Sequence, residues 1–167
     1  MREPTAIDPS RARFPALSTA CWLLACVAAS AQESTVAPDD RAVSAGRWAV
    51  VEAVWDGNPL DREWLARLQV VYRPDGSWAV FLRRTPVAEG TSTIRQDVEP
   101  KTFEMATLGS EGVAPTRYSG IYRLDGDTSQ LCIVREGTPR PDGFSAPRQS
   151  GRLLVTLERA GPPPGRE

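Results

Sequence analysis

The chain has 167 residues, of which 41% are hydrophobic and 25% are charged, and its formal net charge is −1. This length predicts one domain with a sizeable core, and the composition excludes a disordered chain. The near-zero charge argues against a nucleic-acid-binding protein, and the lack of histidine excludes Ser-His-Asp and Cys-His catalysis and histidine-ligated zinc.

The first 31 residues predict an export signal. Arg2, Arg11 and Arg13 give the chain a positive start, and residues 14–31 carry no charge. This apolar stretch is broken by proline, serine and threonine, and it is too short for a membrane-spanning helix of about 20 residues. We therefore expect an exported protein of the periplasm or cell envelope.

Two cleavage sites are compatible with this signal. Residues 29–31, Ala-Ser-Ala, fit the small-x-small pattern of an ordinary signal peptidase. Residues 23–26, Leu-Leu-Ala-Cys, resemble the lipobox of bacterial lipoproteins, in which Cys26 would be lipidated and become the new N-terminus. The second alternative predicts membrane attachment through a lipid anchor.

Composition divides the rest of the chain into three parts. Residues 32–43 are polar and predict a tether, and residues 161–167 are rich in proline and predict a disordered tail. The folded domain is therefore expected over residues 44–160. Cys132 is its only cysteine, so no disulfide is expected within it, and the flanking Leu131 and Ile133 predict that Cys132 is buried.

Short apolar segments separated by turn signals predict about eight strands. Residues 74–77 (Pro-Asp-Gly-Ser) and 125–127 (Asp-Gly-Asp) are hairpin turns, and an Asp-Gly turn explains the second without a calcium ion. Asp61 is the expected N-cap of one short helix after the first strand. The predicted strands are 48–55, 69–73, 78–83, 91–96, 101–107, 118–124, 130–136 and 152–159.

Hairpin order and alternating faces predict an all-β fold, an antiparallel up-and-down barrel. Gly46-Arg47-Trp48 opens the first strand and Arg159 ends the last, a pairing that resembles lipocalins. The resemblance implies that the indole closes one end of a lipocalin-like barrel and that the guanidinium stacks on it. Such stacking is worth about 0.5–2 kcal/mol.

A broader resemblance covers almost the whole domain. The chain is similar to a paralogous family of uncharacterised lipocalin-like domains in planctomycete bacteria. Ser129 and Glu104 depart from the residues usual in that family, leucine and aspartate. The resemblance implies a fold and an envelope setting but no activity. The matching stretches are 46–51, 56–60, 99–104, 120–127, 131–132, 140–141 with 144, and 157–159.

Several aromatic residues are expected inside the barrel besides Trp48. Trp55, Trp78, Phe103 and Tyr122 are the candidate barrel-lining residues, and any ligand would contact them. An eight-stranded barrel either fills itself with side chains or holds one small ligand. Because so many large side chains point inward, we expect any cavity to be small.

Charged residues give further candidates. In the loop 140–144, Arg140 and Phe144 could grip an anionic ligand, or Arg140 could pair with a carboxylate while Phe144 caps the core. Glu52 and Glu104 could point inward and support acid–base catalysis. All basic residues except Lys101 are arginine, and they are scattered along the sequence.

The resulting hypothesis is a non-enzymatic exported domain that binds a small apolar ligand or an envelope component. The alternative is a solid barrel with a structural or protein-interaction role, and a weaker one is an enzyme that uses carboxylates alone. We expect no catalytic residue, cofactor, metal or nucleic-acid partner, and membrane contact only through the lipid anchor. A cavity of roughly 300 Å³ or more favours ligand binding, whereas a filled barrel with an exposed apolar patch favours interaction.

Overall fold

The computed structural model of the protein describes residues 39–109 and 114–161. The predicted leader, with Cys26, most of the tether and most of the proline-rich tail lie outside the described residues. Within these described residues the fold consists of two short helices and nine strands. They are α1 (Asp40–Ser44), β1 (Gly46–Trp55), β2 (Asn58–Pro59), α2 (Arg62–Leu65), β3 (Leu68–Tyr72), β4 (Ser77–Leu82), β5 (Thr85–Arg95), β6 (Thr102–Thr107), β7 (Arg117–Asp125), β8 (Thr128–Arg135) and β9 (Leu153–Arg159).

The strands form a closed antiparallel barrel. Apart from the two-residue arm β2, which pairs only with the end of β1, each strand pairs with its neighbour in sequence. The barrel closes where β9 pairs with β1, from Trp48–Arg159 at one end to Trp55–Leu153 at the other. Eight strands thus complete the circle, which confirms the predicted fold class.

The two predicted hairpin turns are present. In the turn between β3 and β4, the Asp75 carboxylate accepts hydrogen bonds from the Ser77 backbone N–H at 2.8 Å and from the Ser77 hydroxyl at 2.7 Å. These bonds hold the pKa of Asp75 below its ordinary value. Gly76 has φ +85° and Gly126, between β7 and β8, has φ +56°, a conformation that glycine adopts without strain.

Strand β1 contains a β-bulge that the sequence did not reveal. The pairing with β9 shifts by one residue between Val50 and Glu52. Val50 and Ala53 are therefore both buried in the core, and Glu52 faces solvent. The prediction that Trp55 lines the interior is wrong, because Trp55 lies at the very end of β1 with 51% of its surface exposed.

The start of β5 and the end of the tether also differ from the prediction. Strand β5 begins at Thr85, well before residue 91, because a register shift against β4 accommodates Pro86, which lacks a backbone donor. The tether predicted over residues 32–43 ends earlier, since Asp40 begins α1 with Asp39 as its N-cap. The predicted helix is α2, and the Asp61 carboxylate caps it by accepting a hydrogen bond from Trp64 N–H at 2.8 Å.

Apolar side chains pack on both faces of the sheet. The main core fills the barrel interior around Trp48, Leu131 and Leu157. A second layer lies outside, where the loop 136–152 covers β7 and β8 and buries Ile121, Cys132 and Val134. No helix among the described residues is long and apolar enough to cross a membrane.

The antiparallel register gives the barrel two distinct ends. At the α1 end lie the start of β1, the β3–β4 and β7–β8 hairpins and the end of β9. At the α2 end lie the end of β1, the β4–β5 hairpin, the end of β6 and the start of β9.

Candidate functional site

Trp48 and Arg159 close the α1 end. The Trp48 ring is fully buried, and its indole N–H donates to the Ser44 carbonyl at 2.7 Å. The Arg159 guanidinium lies 4.3 Å from the centre of the ring. The structure therefore brings together the two residues that the sequence pattern proposed as the closure of the barrel.

Arg159 also ties this end to two other segments. Its guanidinium donates to the Val43 carbonyl at 2.7 Å and to the Ala45 carbonyl at 3.0 Å. It pairs with Asp127 of the β7–β8 hairpin at 2.9 Å, and its own side chain is only 5% exposed. Because these acceptors are fixed, the guanidinium is held in place over the indole. The loop 125–127 thus forms a hairpin turn and also supplies the carboxylate that pairs with Arg159.

A buried carboxylate adds a second closure at the α1 end. Asp40 accepts hydrogen bonds from the Lys101 ammonium at 2.6 Å and from the Tyr122 hydroxyl at 2.8 Å. Its own backbone N–H donates to the Gln96 side chain at 2.8 Å. Sequence reasoning missed Asp40, and the only hint was that its partner Lys101 is the sole lysine.

The interior of the barrel contains an apolar cavity. Its volume is about 210 Å³, and it extends from the middle of the barrel to the α2 end. Its lining is aliphatic or aromatic throughout, and the only hydroxyl on the lining residues is that of Tyr72. The lining residues are Val50, Ala53, Leu60, Trp64, Leu65, Leu68, Val70, Tyr72, Trp78, Val80, Met105, Leu131, Ile133, Leu153, Val155 and Leu157.

Bulky side chains separate this cavity from the α1 end. A smaller void of about 60 Å³ lies beyond Tyr72, Met105 and Leu131, which border both spaces. Burial raises the pKa of Tyr72 well above its ordinary value, since the ionised phenol would lose its hydration. Most of the barrel is therefore filled, and the open volume lies towards α2.

The three other candidate barrel-lining residues are buried. Trp78 lines the cavity, whereas Phe103 and Tyr122 line the smaller void and meet edge to face with ring centres 6.5 Å apart. Burial, together with the Asp40 carboxylate, raises the pKa of the Tyr122 phenol. The predicted lining set is thus divided between two spaces, with Trp55 in neither.

Glycines make room for two of these rings. A Cβ atom at Gly90 would lie 2.6 Å from the Trp78 ring, and one at Gly120 would lie 2.5 Å from the Phe103 ring. Each glycine is directly opposite its aromatic residue on the neighbouring strand. The rings can therefore lie flat against the inner wall and leave the space beside them open.

Helix α2 covers the cavity at its own end of the barrel. Leu60, Trp64 and Leu65 line the cavity from this side, and Leu65 is buried. Trp64 contributes to the lining while 46% of its surface remains exposed. The four-residue helix and the partly exposed Leu60 before it therefore lie between this end of the cavity and solvent.

Other candidate residues have structural contacts. Arg140 pairs with Glu104 at 3.1 Å on the outer surface, and Phe144 lies 4.8 Å beneath the Arg123 guanidinium. Glu52 and Glu104 are both exposed, so these carboxylates do not meet inside the barrel. No group of three potential metal-ligating side chains occurs within residues 39–109 and 114–161.

Cys132 is buried as predicted, but outside the barrel rather than within it. It is fully buried beneath the loop 136–152, and its thiol lies 3.5 Å from the Ser145 carbonyl. Burial raises the pKa of this thiol, which keeps it protonated and unreactive.

Comparison with known proteins gave no match: no family model, no curated protein and no solved structure is similar to this chain. The resemblance to a planctomycete family stays a prediction from the sequence motifs. The cavity and the barrel ends are therefore the observations from which a function must be inferred.

Proposed function

We propose that the barrel binds one compact apolar molecule in its interior cavity and catalyses no reaction. The observation that carries this proposal is the cavity of about 210 Å³, whose only hydroxyl is that of Tyr72. Apolar cavities of about 150 Å³ stay dry and bind benzene or xenon. An apolar lining around a space of this size therefore suits hydrocarbon groups.

The volume of the cavity limits the size of the ligand. Scaling from benzene in about 150 Å³ gives a ligand of about eight to ten non-hydrogen atoms. This cavity is smaller than the roughly 300 Å³ expected above for a ligand carrier, and pockets for larger molecules usually measure about 300–1,000 Å³, so the proposal is limited to a compact ligand. The best candidates are one or two fused rings or a short acyl chain. A polar atom on the ligand would be best placed beside the Tyr72 hydroxyl.

Helix α2 is the proposed entrance. At the α1 end the route is blocked by Trp48 with Arg159 and by Asp40 with Tyr122, whereas at the α2 end Trp64 lines the cavity while 46% of its surface is exposed. A helix of four residues has little stability of its own. Displacement of α2 would open the cavity without separating any pair of barrel strands.

The setting we propose is the cell envelope, after export. Support comes from the positive start and the uncharged residues 14–31, with Cys26 as the site of a lipid anchor. Nothing in its charge favours a nucleic acid, since the net charge is −1.

Toluene is a suitable probe for the cavity. With seven non-hydrogen atoms, it should bind with a Kd of about 0.1–1 mM, or about 0.6–0.8 kcal/mol per atom. At 5 mM it should raise the free energy of unfolding by about 1–2 kcal/mol. Chemical-shift changes in methyl NMR spectra should be confined to the cavity-lining residues.

Ala53 provides the decisive variant. Ala53 lines the cavity, so Ala53→Phe should fill it and abolish the response to toluene. Ala106→Phe is the matched control, because Ala106 lies on the outer face of β6, and it should bind toluene like the wild type. Equal toluene binding by both variants, or none by the wild-type chain, would refute the proposal.

The natural ligand requires a separate measurement. Native mass spectrometry of the protein purified from its own cells should show an added mass of about 100–150 Da, lost after organic extraction. An unliganded protein that also ignores toluene would favour the alternative, a solid barrel that acts through its surface. The exposed apolar residues at the α2 end are the observation that favours this alternative.

A further inference from the structure

The exposed apolar residues of the barrel are concentrated at one end. Among residues 39–109 and 114–161, the large hydrophobic side chains that are exposed are those of Trp55, Trp64, Val87 and Leu108. All four lie at the α2 end: at the end of β1, on α2, in the first residues of β5 and just after β6. Leu108 is fixed beside β5, since its N–H donates to the Glu89 carbonyl at 2.7 Å.

Three arginines surround part of this surface. Trp64, Leu82 and Val87 line one groove with Arg67, Arg83 and Arg84, and no carboxylate contributes to its lining. The Arg83 backbone N–H donates to the Arg67 carbonyl at 2.6 Å, which joins the β4–β5 hairpin to the segment after α2. We call these six residues the arginine rim.

Positive charge continues from the rim along the outer wall. Arg83 and Arg84 also line a groove with Arg47, Arg73 and Phe81, again without a carboxylate. In the part of the chain that the structure describes, these arginines and Arg67 form no ion pair. Apart from the adjacent Arg83 and Arg84 they are separated in the sequence, and the pairing of β3 with β1 and β4 brings them together.

We propose that the arginine rim docks the α2 end of the barrel onto an anionic phospholipid bilayer. Guanidinium groups would meet lipid phosphates, and Trp64 and Val87 would enter the layer between headgroups and acyl chains. Tryptophan favours this layer because its ring is apolar and its N–H is polar. Basic residues add attraction wherever the surface carries anionic lipid. This proposal does not depend on occupancy of the cavity.

Charge composition favours a bilayer over a protein partner. The rim presents like charges over a broad edge, which suits a continuous anionic surface. The carboxylates closest along the chain, Asp61, Glu63 and Glu89, do not line either groove, and Asp61 is occupied in capping α2. A bilayer also accommodates the exposed Trp55 and Leu108 at the same end.

The segment between Cys26 and the barrel is long enough for the α2 end to face the membrane even if Cys26 carries a lipid. The described chain enters the barrel at the α1 end, opposite the rim. Residues 27–38 can span at most roughly 40 Å, whereas the ten residues of β1 rise about 33 Å. The α2 end can therefore reach the membrane that holds the anchor.

Vesicle partitioning of the full chain tests the proposal. The vesicles contain either phosphatidylcholine alone or phosphatidylcholine with 30% phosphatidylglycerol, in 50 mM salt. Arg67→Gln with Arg84→Gln removes two rim charges and keeps the side-chain stems. Arg95→Gln with Arg123→Gln is the matched control, since these exposed arginines lie towards the α1 end. Any contribution of the leader is common to all three proteins and cancels in their ratios.

The rim variant should bind the anionic vesicles about 25-fold more weakly than the wild type, or about fivefold per arginine. The control should lose less than threefold, and 300 mM salt should remove most of the difference. Arg83→Asn, which suits the left-handed backbone at this position, should reproduce about a fivefold loss. Circular dichroism should show that all variants are folded.

A second readout locates the contact. Vesicles with brominated acyl chains should quench the fluorescence of the wild-type chain more than that of Trp64→Phe. Equal losses in the rim and control variants would overturn the proposal. So would equal binding of the wild type to neutral and anionic vesicles, and the surface would then be assigned to a protein partner.

Discussion

The two ends of the barrel are closed in different ways. At the α1 end, Trp48 is sealed by Arg159, and Asp40 joins α1 to Lys101 and Tyr122. At the α2 end, a four-residue helix covers a cavity and leaves Trp64 half exposed. One end is held by directional bonds between distant parts of the chain and the other by a few apolar contacts. Both proposals, ligand entry and membrane binding, place function at the less constrained end.

The largest change in stability is expected when the tryptophans at the two ends, Trp48 and Trp64, are replaced in turn. Trp48→Ala removes a fully buried ring and the aromatic surface on which the Arg159 guanidinium stacks. It should lower the free energy of unfolding by about 3–5 kcal/mol. Trp64→Ala should cost about 1 kcal/mol or less, because half of that ring is already in water. Urea unfolding followed by circular dichroism measures both, and similar losses would contradict the asymmetry.

The overall fold could be predicted from the sequence because its signals are local. Each hairpin has its own turn residues, such as Asp75 and Gly76, and each strand its own apolar alternation. Trp48 and Arg159 could be paired across the chain only because the two positions resemble a known pattern. The bulge at Val50–Glu52 has no comparable local signal, and it explains why Glu52 shares its strand parity with core residues but faces solvent.

The rest of the site depends on contacts between distant residues. Asp40 lies in a polar segment and is recognisable only through Tyr122, 82 positions away. Arg67 is likewise separated in sequence from the adjacent Arg83 and Arg84, and the pairing of β3 with β4 brings it beside them. Trp55 was misplaced because it is the last residue of β1, and the sequence does not show how far the barrel extends beyond it. The cavity volume follows from packing of the whole core, which composition does not determine.

A smaller change in stability is expected when two ion pairs, one buried and one exposed, are removed in turn. Asp40→Ala removes the acceptor of two hydrogen bonds and leaves the buried Tyr122 hydroxyl without one, at a cost of about 1–3 kcal/mol. Asp142→Ala should cause no measurable change, because the Asp142 carboxylate that pairs with Arg152 is exposed to solvent. Thermal unfolding of the two variants provides the measurement. If Asp142→Ala proved the more damaging, the proposed role of Asp40 would be wrong.

Alkaline pH should weaken the α1 half of the barrel. Burial raises the pKa of both Tyr72 and Tyr122 above the ordinary value of 10.0. Both tyrosines are protonated in the folded and unfolded states below pH 10, so neither contributes a pH dependence there. Above pH 10 the unfolded chain loses these protons first, so unfolding becomes more favourable as the pH rises.

The expected slope is up to about 1.4 kcal/mol per pH unit for each tyrosine. Tyr122→Phe should reduce this slope, although it also removes the bond to Asp40 and lowers stability at neutral pH. Urea titrations at pH 9, 10 and 11 give the slope for each protein. A wild-type stability that is constant between pH 10 and 11 would show that the phenols are accessible to hydroxide in the folded state.

Crystals of the full chain under xenon pressure would show whether the barrel interior holds an apolar cavity, since xenon enters dry apolar cavities without disturbing them. We expect a xenon atom inside the barrel, among Leu131, Val155 and Trp64, and none at the α1 end beyond Tyr72. An interior filled by side chains, or by ordered water, would contradict a ligand cavity beneath α2.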